Sequence, residues 1–100
     1  MRYCITRRAR RDVLIIWSDL AEQNEPAADR FATTITSKFK FLGENPYAGR
    51  SRHDIAPGYR SFPIDEYLIF YLVAKPGVRI MNVIHGRRDY PQLFKPPTPH

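Results

Sequence analysis

The chain has 100 residues, 43% of them hydrophobic and 26% charged, with a net charge of +6. That length forms one domain and buries roughly 65% of the surface exposed by the unfolded chain. No apolar run reaches the ~20 residues of a membrane helix, and Met1-Arg2-Tyr3-Cys4 lacks the apolar stretch of a signal peptide, so a cytoplasmic protein is expected. The single cysteine, Cys4, allows neither an internal disulfide nor a thiolate metal cluster and is expected to be a small buried apolar residue. Excess positive charge suits polyanionic or acidic partners: RNA, DNA or an acidic protein.

Tyr3 to Thr6 is a short β-prone run, after which the Thr6 hydroxyl can cap a helix. Ala9, Val13, Ile16, Trp17 and Leu20 then recur at helical spacing and form one apolar stripe. Arg7, Arg8, Arg10 and Arg11 fall largely off that stripe and oppose the helix dipole, as a basic patch or a solvated face. Glu22 to Glu25 break the helix, Asn24 is a good cap, and Pro26 suits the first turn of a second helix. Ala28, Phe31, Ala32, Ile35, Phe39 and Leu42 give the second stripe, with Gly43 expected to stop it. Two amphipathic helices on a short link predict an antiparallel hairpin lying on a shared third surface.

Asn45 to Gly58, rich in Pro, Gly, Ser and charge, reads as a loop. Arg60, Phe62 and Ile64 alternate with Tyr59, Ser61 and Pro63, and Asp65-Glu66 makes a turn. Tyr67 to Val73 is apolar on both parities, as in a central strand covered on two faces. Ala74-Lys75-Pro76-Gly77 is a second turn, and Val78 to His85 the last strand. Such short connections exclude parallel crossovers, so the three strands form an antiparallel meander. The expected fold is α+β: an N-terminal strand, then a two-helix hairpin packed on one face of a mainly antiparallel sheet, in the order β-α-α-β-β-β. One domain is expected over residues 1–94, with residues 95–100 a flexible tail. With only two helices, the second face of the central strand is left to a partner.

No strong catalytic signature is present: there is no P-loop, G-x-S-x-G or H-E-x-x-H, and His53, His85 and His100 lack metal-ligand spacing. No metal or cofactor is expected. The remaining candidate is Arg60 with His85, Arg87 and Arg88, expected to converge at one end of the meander. Arginines there could hold phosphate and a histidine could move a proton, as in a metal-independent nuclease. An anion patch that only binds, or ion pairing with Asp65 and Asp89, accounts for the same residues.

The order of these elements, with P-G-Y-R-S-F-P at 57–63, Y-L-I-F-Y at 67–71, V-I-H-G-R-R-D at 83–89 and N-P-x-x-G-R at 45–50, resembles the RelE/ParE superfamily of bacterial toxins. The resemblance implies one of two activities, mRNA cleavage in the ribosomal A site or poisoning of DNA gyrase. Of five basic or tyrosine positions typical of the nuclease branch, Arg60 and Arg88 are kept, whereas Phe62, Leu68 and Phe94 stand at the other three. None of those three can bind phosphate or move a proton, so catalysis should be largely lost. The wording of R-S-F-P and V-I-H-G-R-R-D is also similar to the ParE side. A gyrase-directed toxin without an active site of its own is therefore expected, with Arg60, His85, Arg87 and Arg88 as its target-binding patch. A ribosome-dependent nuclease or a non-toxic binding module is the alternative. The resemblance also implies a cognate antitoxin, whose acidic C-terminal segment wraps the toxin and whose N-terminal part binds operator DNA. Its binding face is expected to carry Tyr67, Ile69, Tyr71, Arg79 and Met81.

Overall fold

The computed structural model describes residues 2–87; Arg88, Phe94 and the 95–100 tail lie outside the described residues. Along the chain come β1 (Tyr3–Ile5), α1 (Arg7–Gln23), α2 (Glu25–Glu44), β2 (Arg50–Ser51), β3 (Tyr59–Ile64), β4 (Tyr67–Ala74) and β5 (Gly77–His85). They build one five-stranded sheet in the order β1-β5-β4-β3-β2. β3, β4 and β5 form the expected antiparallel meander, with Ile64 opposite Tyr67 across the Asp65-Glu66 turn. β1 pairs parallel with β5 at Val78, Arg79 and Ile80, the helical hairpin serving as the crossover. β2 is an addition to the sequence reading: inside the supposed loop, Arg50 and Ser51 pair with Ser61 and Arg60.

Both helix starts are set by side chains. Thr6 Oγ1 accepts from the N–H of Ala9 at 3.1 Å and donates to the carbonyl of Ile80 at 2.8 Å. One hydroxyl thus caps α1 and fastens it to β5. Replacing Thr6 by alanine should cost about 1–2 kcal/mol, because the cap and the cross-link go together. Urea unfolding of the variant should give a lower midpoint with an unchanged slope.

A single residue, Asn24, links the helices. Its N–H donates to Leu20 O at 2.7 Å, closing α1, while its Oδ1 accepts from Ala27 N at 3.2 Å, opening α2. Gly43 does not stop α2, which runs on to Glu44. A Cβ at Gly43 would lie 2.7 Å from the carbonyl oxygen of Arg2, so the missing side chain instead admits the start of the chain against the helix.

The core lies between the hairpin and one sheet face. Ala9, Ile16, Phe31, Ile35, Phe39 and Leu42 from the helices meet Ile64, Ile69, Tyr71, Val78, Ile80 and Val83 from the strands. Trp17, expected on the buried stripe, is 38% exposed, and Cys4, expected inside, is also exposed. β1 stops before covering all of β5. There the N–H of Val83 finds the carboxylate of Asp12 on α1, at 3.0 Å from Oδ2.

Candidate functional site

The side chains of a strand alternate between its faces, so the core residues orient the whole meander. Ile64, Tyr67, Ile69 and Tyr71 pack toward the helices; Tyr59, Ser61 and Pro63 of β3 and Leu68, Phe70 and Leu72 of β4 therefore point away. This reverses part of the sequence reading. Ile69 and Tyr71 are fully buried beneath the hairpin and Tyr67 is packed against Phe31, with ring centroids 5.2 Å apart. Ile69 and Tyr71 therefore lie on no surface open to a partner. Arg79 does point outward, paired across the sheet with Leu72, and Met81 is half-buried where the β4–β5 register shifts.

The helix-free face is not uniformly bare. Phe70 is fully buried there: the Arg52 guanidinium lies 5.7 Å from its ring centroid, and the Tyr59 ring lies 6.4 Å away. Arg52 is itself fixed to Asp54, with N–O distances of 3.1 and 3.0 Å. The sequence reading missed this roof of Arg52, Asp54 and Tyr59. Its signal was the aromatic at Tyr59 on the parity opposite to Phe62 and Ile64. Leu68, Leu72 and Arg79 remain accessible on this face, beside Cys4.

Among the described residues of the expected patch, Arg60 does not meet His85 and Arg87. Arg60 pairs with Tyr71, and Tyr71 with Ile80; His85 pairs with Tyr67, and Tyr67 with Ile64. In an up-down-up meander the start of the first strand and the end of the third lie at opposite ends. The expectation of convergence was an error of topology. Arg60 and His85 are separated by about 13 Å along the strands and about 10 Å across two strand spacings.

At its own end, Arg60 is committed to structure. Its Nε donates to Gly49 O at 3.1 Å, and its guanidinium lies 5.3 Å from the centroid of the Tyr47 ring. The Tyr71 hydroxyl completes this knot, accepting from Gly49 N–H and donating to Pro46 O, both at 2.8 Å. Burial raises the Tyr71 phenol above its ordinary value of 10.0, partly offset by the Gly49 N–H and the Arg60 charge.

At the other end, His85 Nε2 lies 3.8 Å from Glu66 Oε2, and its ring meets Tyr67 edge-on at 5.6 Å. The N–H of Gly86 donates to Glu66 O at 2.9 Å, bracing the strand exit against the Asp65-Glu66 turn. Arg87 is exposed beside them, along an open depression that includes Pro63, Leu68 and Gly86. Phe62, on the helix side, packs on Phe41 with centroids 5.7 Å apart, whereas Leu68 points the opposite way. The described positions of nuclease interest, Arg60, Phe62 and Leu68, thus divide between two faces and two ends. Among the described residues no cluster of three or more His, Cys, Asp or Glu could hold a metal, and no helix is long and apolar enough to cross a membrane.

Comparison with known proteins agrees with this architecture. A family model described as "ParE toxin of type II toxin-antitoxin system, parDE" matches residues 3–90. The chain is 30% identical over 85 residues to Toxin ParE3 of Caulobacter vibrioides, covering 84% of this chain and 85% of that one. It is 26% identical over 90 residues to Toxin ParE1 of Mycobacterium tuberculosis, covering 88% and 92%. A solved structure titled "Chromosomal ParDE TA system from P. aeruginosa" superposes with a TM-score of 0.71 at 23% identity, over 85% of this chain and 95% of that one. At that identity the likeness speaks to the fold.

Proposed function

The chain belongs to the ParE toxin family of type II toxin–antitoxin systems, and from that premise we propose that it arrests DNA gyrase by binding, without catalysis of its own, and that a cognate antitoxin neutralises it. Arg60 carries the non-catalytic half of this proposal. Its guanidinium is taken up by Gly49 and Tyr47, and His85 and Arg87 stand at the far end of the sheet. Cleaving RNA requires a phosphate clamp and a proton-transfer group within hydrogen-bond reach of one phosphodiester. Arg60 and His85 cannot serve one such site together.

His85 and Arg87, at the exit of β5, remain target-binding candidates, and Arg88, which follows them in the sequence, is kept with them. For the antitoxin, the helix-free face offers Leu68 and Leu72 beside Arg79, with Met81 nearby. An acidic segment that orders on binding would cover those leucines and neutralise part of the +6 charge.

The discriminating experiment runs two assays on one preparation. Purified protein at micromolar concentration should block supercoiling by DNA gyrase, or trap its cleaved-DNA complex, and leave mRNA on translating ribosomes uncut. Normal supercoiling together with cuts at fixed codon positions would sink the proposal.

A further inference from the structure

The outer face of α1 is unusual in both apolarity and charge. Leu14 is 63% exposed and Ile15 is 53% exposed, side by side at the middle of the helix. Arg8, Arg11, Ile15, Ser18 and Glu22 follow at alternating spacings of three and four and are all exposed, so they make one continuous stripe. Asp19 and Leu14 flank it.

Charge along that stripe runs against the helix. The first turn holds no acidic residue and the last turn no basic one. Arginines crowd the positive end of the dipole while Asp19 and Glu22 lie toward the negative end, an arrangement unfavourable at both ends. Among the described residues, Arg8, Arg11, Asp19 and Glu22 form no ion pair within the chain.

We propose that this face docks a second copy of the same chain, α1 against α1 in antiparallel orientation about a two-fold axis at Ile15. Such an axis sets Arg11, four residues before Ile15, opposite Asp19, four residues after it in the other copy. Likewise Arg8, seven before, meets Glu22, seven after. Each pair occurs twice by symmetry, the two dipoles run antiparallel, and Ile15 meets its counterpart at the centre with Leu14 along one flank of the contact. An acidic segment from another protein would satisfy the arginine end alone and would be repelled by Asp19 and Glu22. Only a partner with reversed polarity fits both ends, and this helix turned around has that polarity.

The contact is small. A helix of 17 residues is about 25 Å long, so one helix face buries less than the ~800 Å² per partner of a standard interface. The dimer is therefore weak and salt-sensitive.

Sedimentation equilibrium of the purified full chain tests this directly. A monomer–dimer equilibrium is expected at low salt, shifting to monomer at high salt. Arg11→Asp and Asp19→Arg should each weaken dimerisation by about tenfold or more, since each turns two attractions into two repulsions. The double variant should recover to within about threefold of the original chain, because the swapped charges meet again across the axis. All these positions are exposed, so circular dichroism should be unchanged and loss of folding is a separable readout. A chain that stays monomeric at every concentration at low salt overturns the proposal, as does a double variant no better than the singles.

Discussion

Replacing Tyr71 by phenylalanine should lower the stability of the fold by about 2 kcal/mol, although only one oxygen is removed. That oxygen holds the buried N–H of Gly49 and the carbonyl of Pro46, each at 2.8 Å. Without it the Gly49 donor is stranded between the sheet and the loop, and water cannot reach it without parting them. The loop has no alternative path: a Cβ at Gly49 would collide with the Tyr71 ring and approach Ser61 O to 2.8 Å. Truncation to alanine removes the ring as well and should cost about 3–5 kcal/mol, a large share of the ~5–15 kcal/mol available to a domain. In thermal unfolding, each kcal/mol should appear as a fall of roughly 4–8 °C in Tm. A phenylalanine variant as stable as the original would mean that the hydroxyl holds nothing.

The same phenol gives the fold a pH signature. Burial raises its folded value above the ordinary 10.0. The unfolded chain therefore releases this proton first as pH rises. Tyr71 contributes its full stabilisation below the unfolded value and loses it progressively as pH climbs toward the folded one. Other groups titrate there too, so the informative quantity is the difference between the original protein and Tyr71→Phe. That gap in Tm should be constant below the ordinary phenol value and narrow as pH rises above about 10.

Local chemistry made most of the scaffold legible. Thr6 and Asn24 carry oxygens suited to helix caps, and both act as such. The turns at Asp65-Glu66 and Pro76-Gly77 left an antiparallel meander as the only short solution. β2 escaped notice because a pair of bridging residues has no periodicity to detect. The parallel pairing of β1 rests on contacts between ends of the chain that no local pattern encodes.

The site was less legible, for two separate reasons. β4 is apolar on both parities, so its own sequence cannot say which set faces the helices. The answer lay in its neighbour: a two-residue turn holds Ile64 opposite Tyr67, which places Tyr67, Ile69 and Tyr71 on the side of Phe62 and Ile64. The convergence of Arg60 with His85 failed on strand direction alone, since three antiparallel strands return to the starting end only after an even number of crossings. The α1 stripe was legible at Ala9, Val13, Ile16 and Leu20, with Trp17 the exception, but Leu14 and Ile15 are apolar on the arginine side, and a stripe read for its buried face says nothing of what the outer face meets.

The reversal of the β4 faces leads to the sharpest contrast between neighbouring substitutions. Ile69→Asp should leave essentially no folded protein. The side chain is fully buried between helices and sheet, and an unpaired carboxylate there, together with the lost packing, costs more than the about 4–5 kcal/mol that marks exceptional single changes. Leu72→Asp, three residues along the same strand, should fold with a Tm within a few degrees of the original, because its side chain is half-exposed on the helix-free face. Its defect should appear with the antitoxin. An acidic segment crossing that face would lose an apolar contact and meet a like charge beside Arg79, weakening capture by roughly tenfold to a hundredfold. Growth arrest by the variant should then persist at antitoxin levels that rescue the original. Full rescue of Leu72→Asp would move the antitoxin off this face, and a stably folded Ile69→Asp would mean that β4 had been assigned the wrong way round.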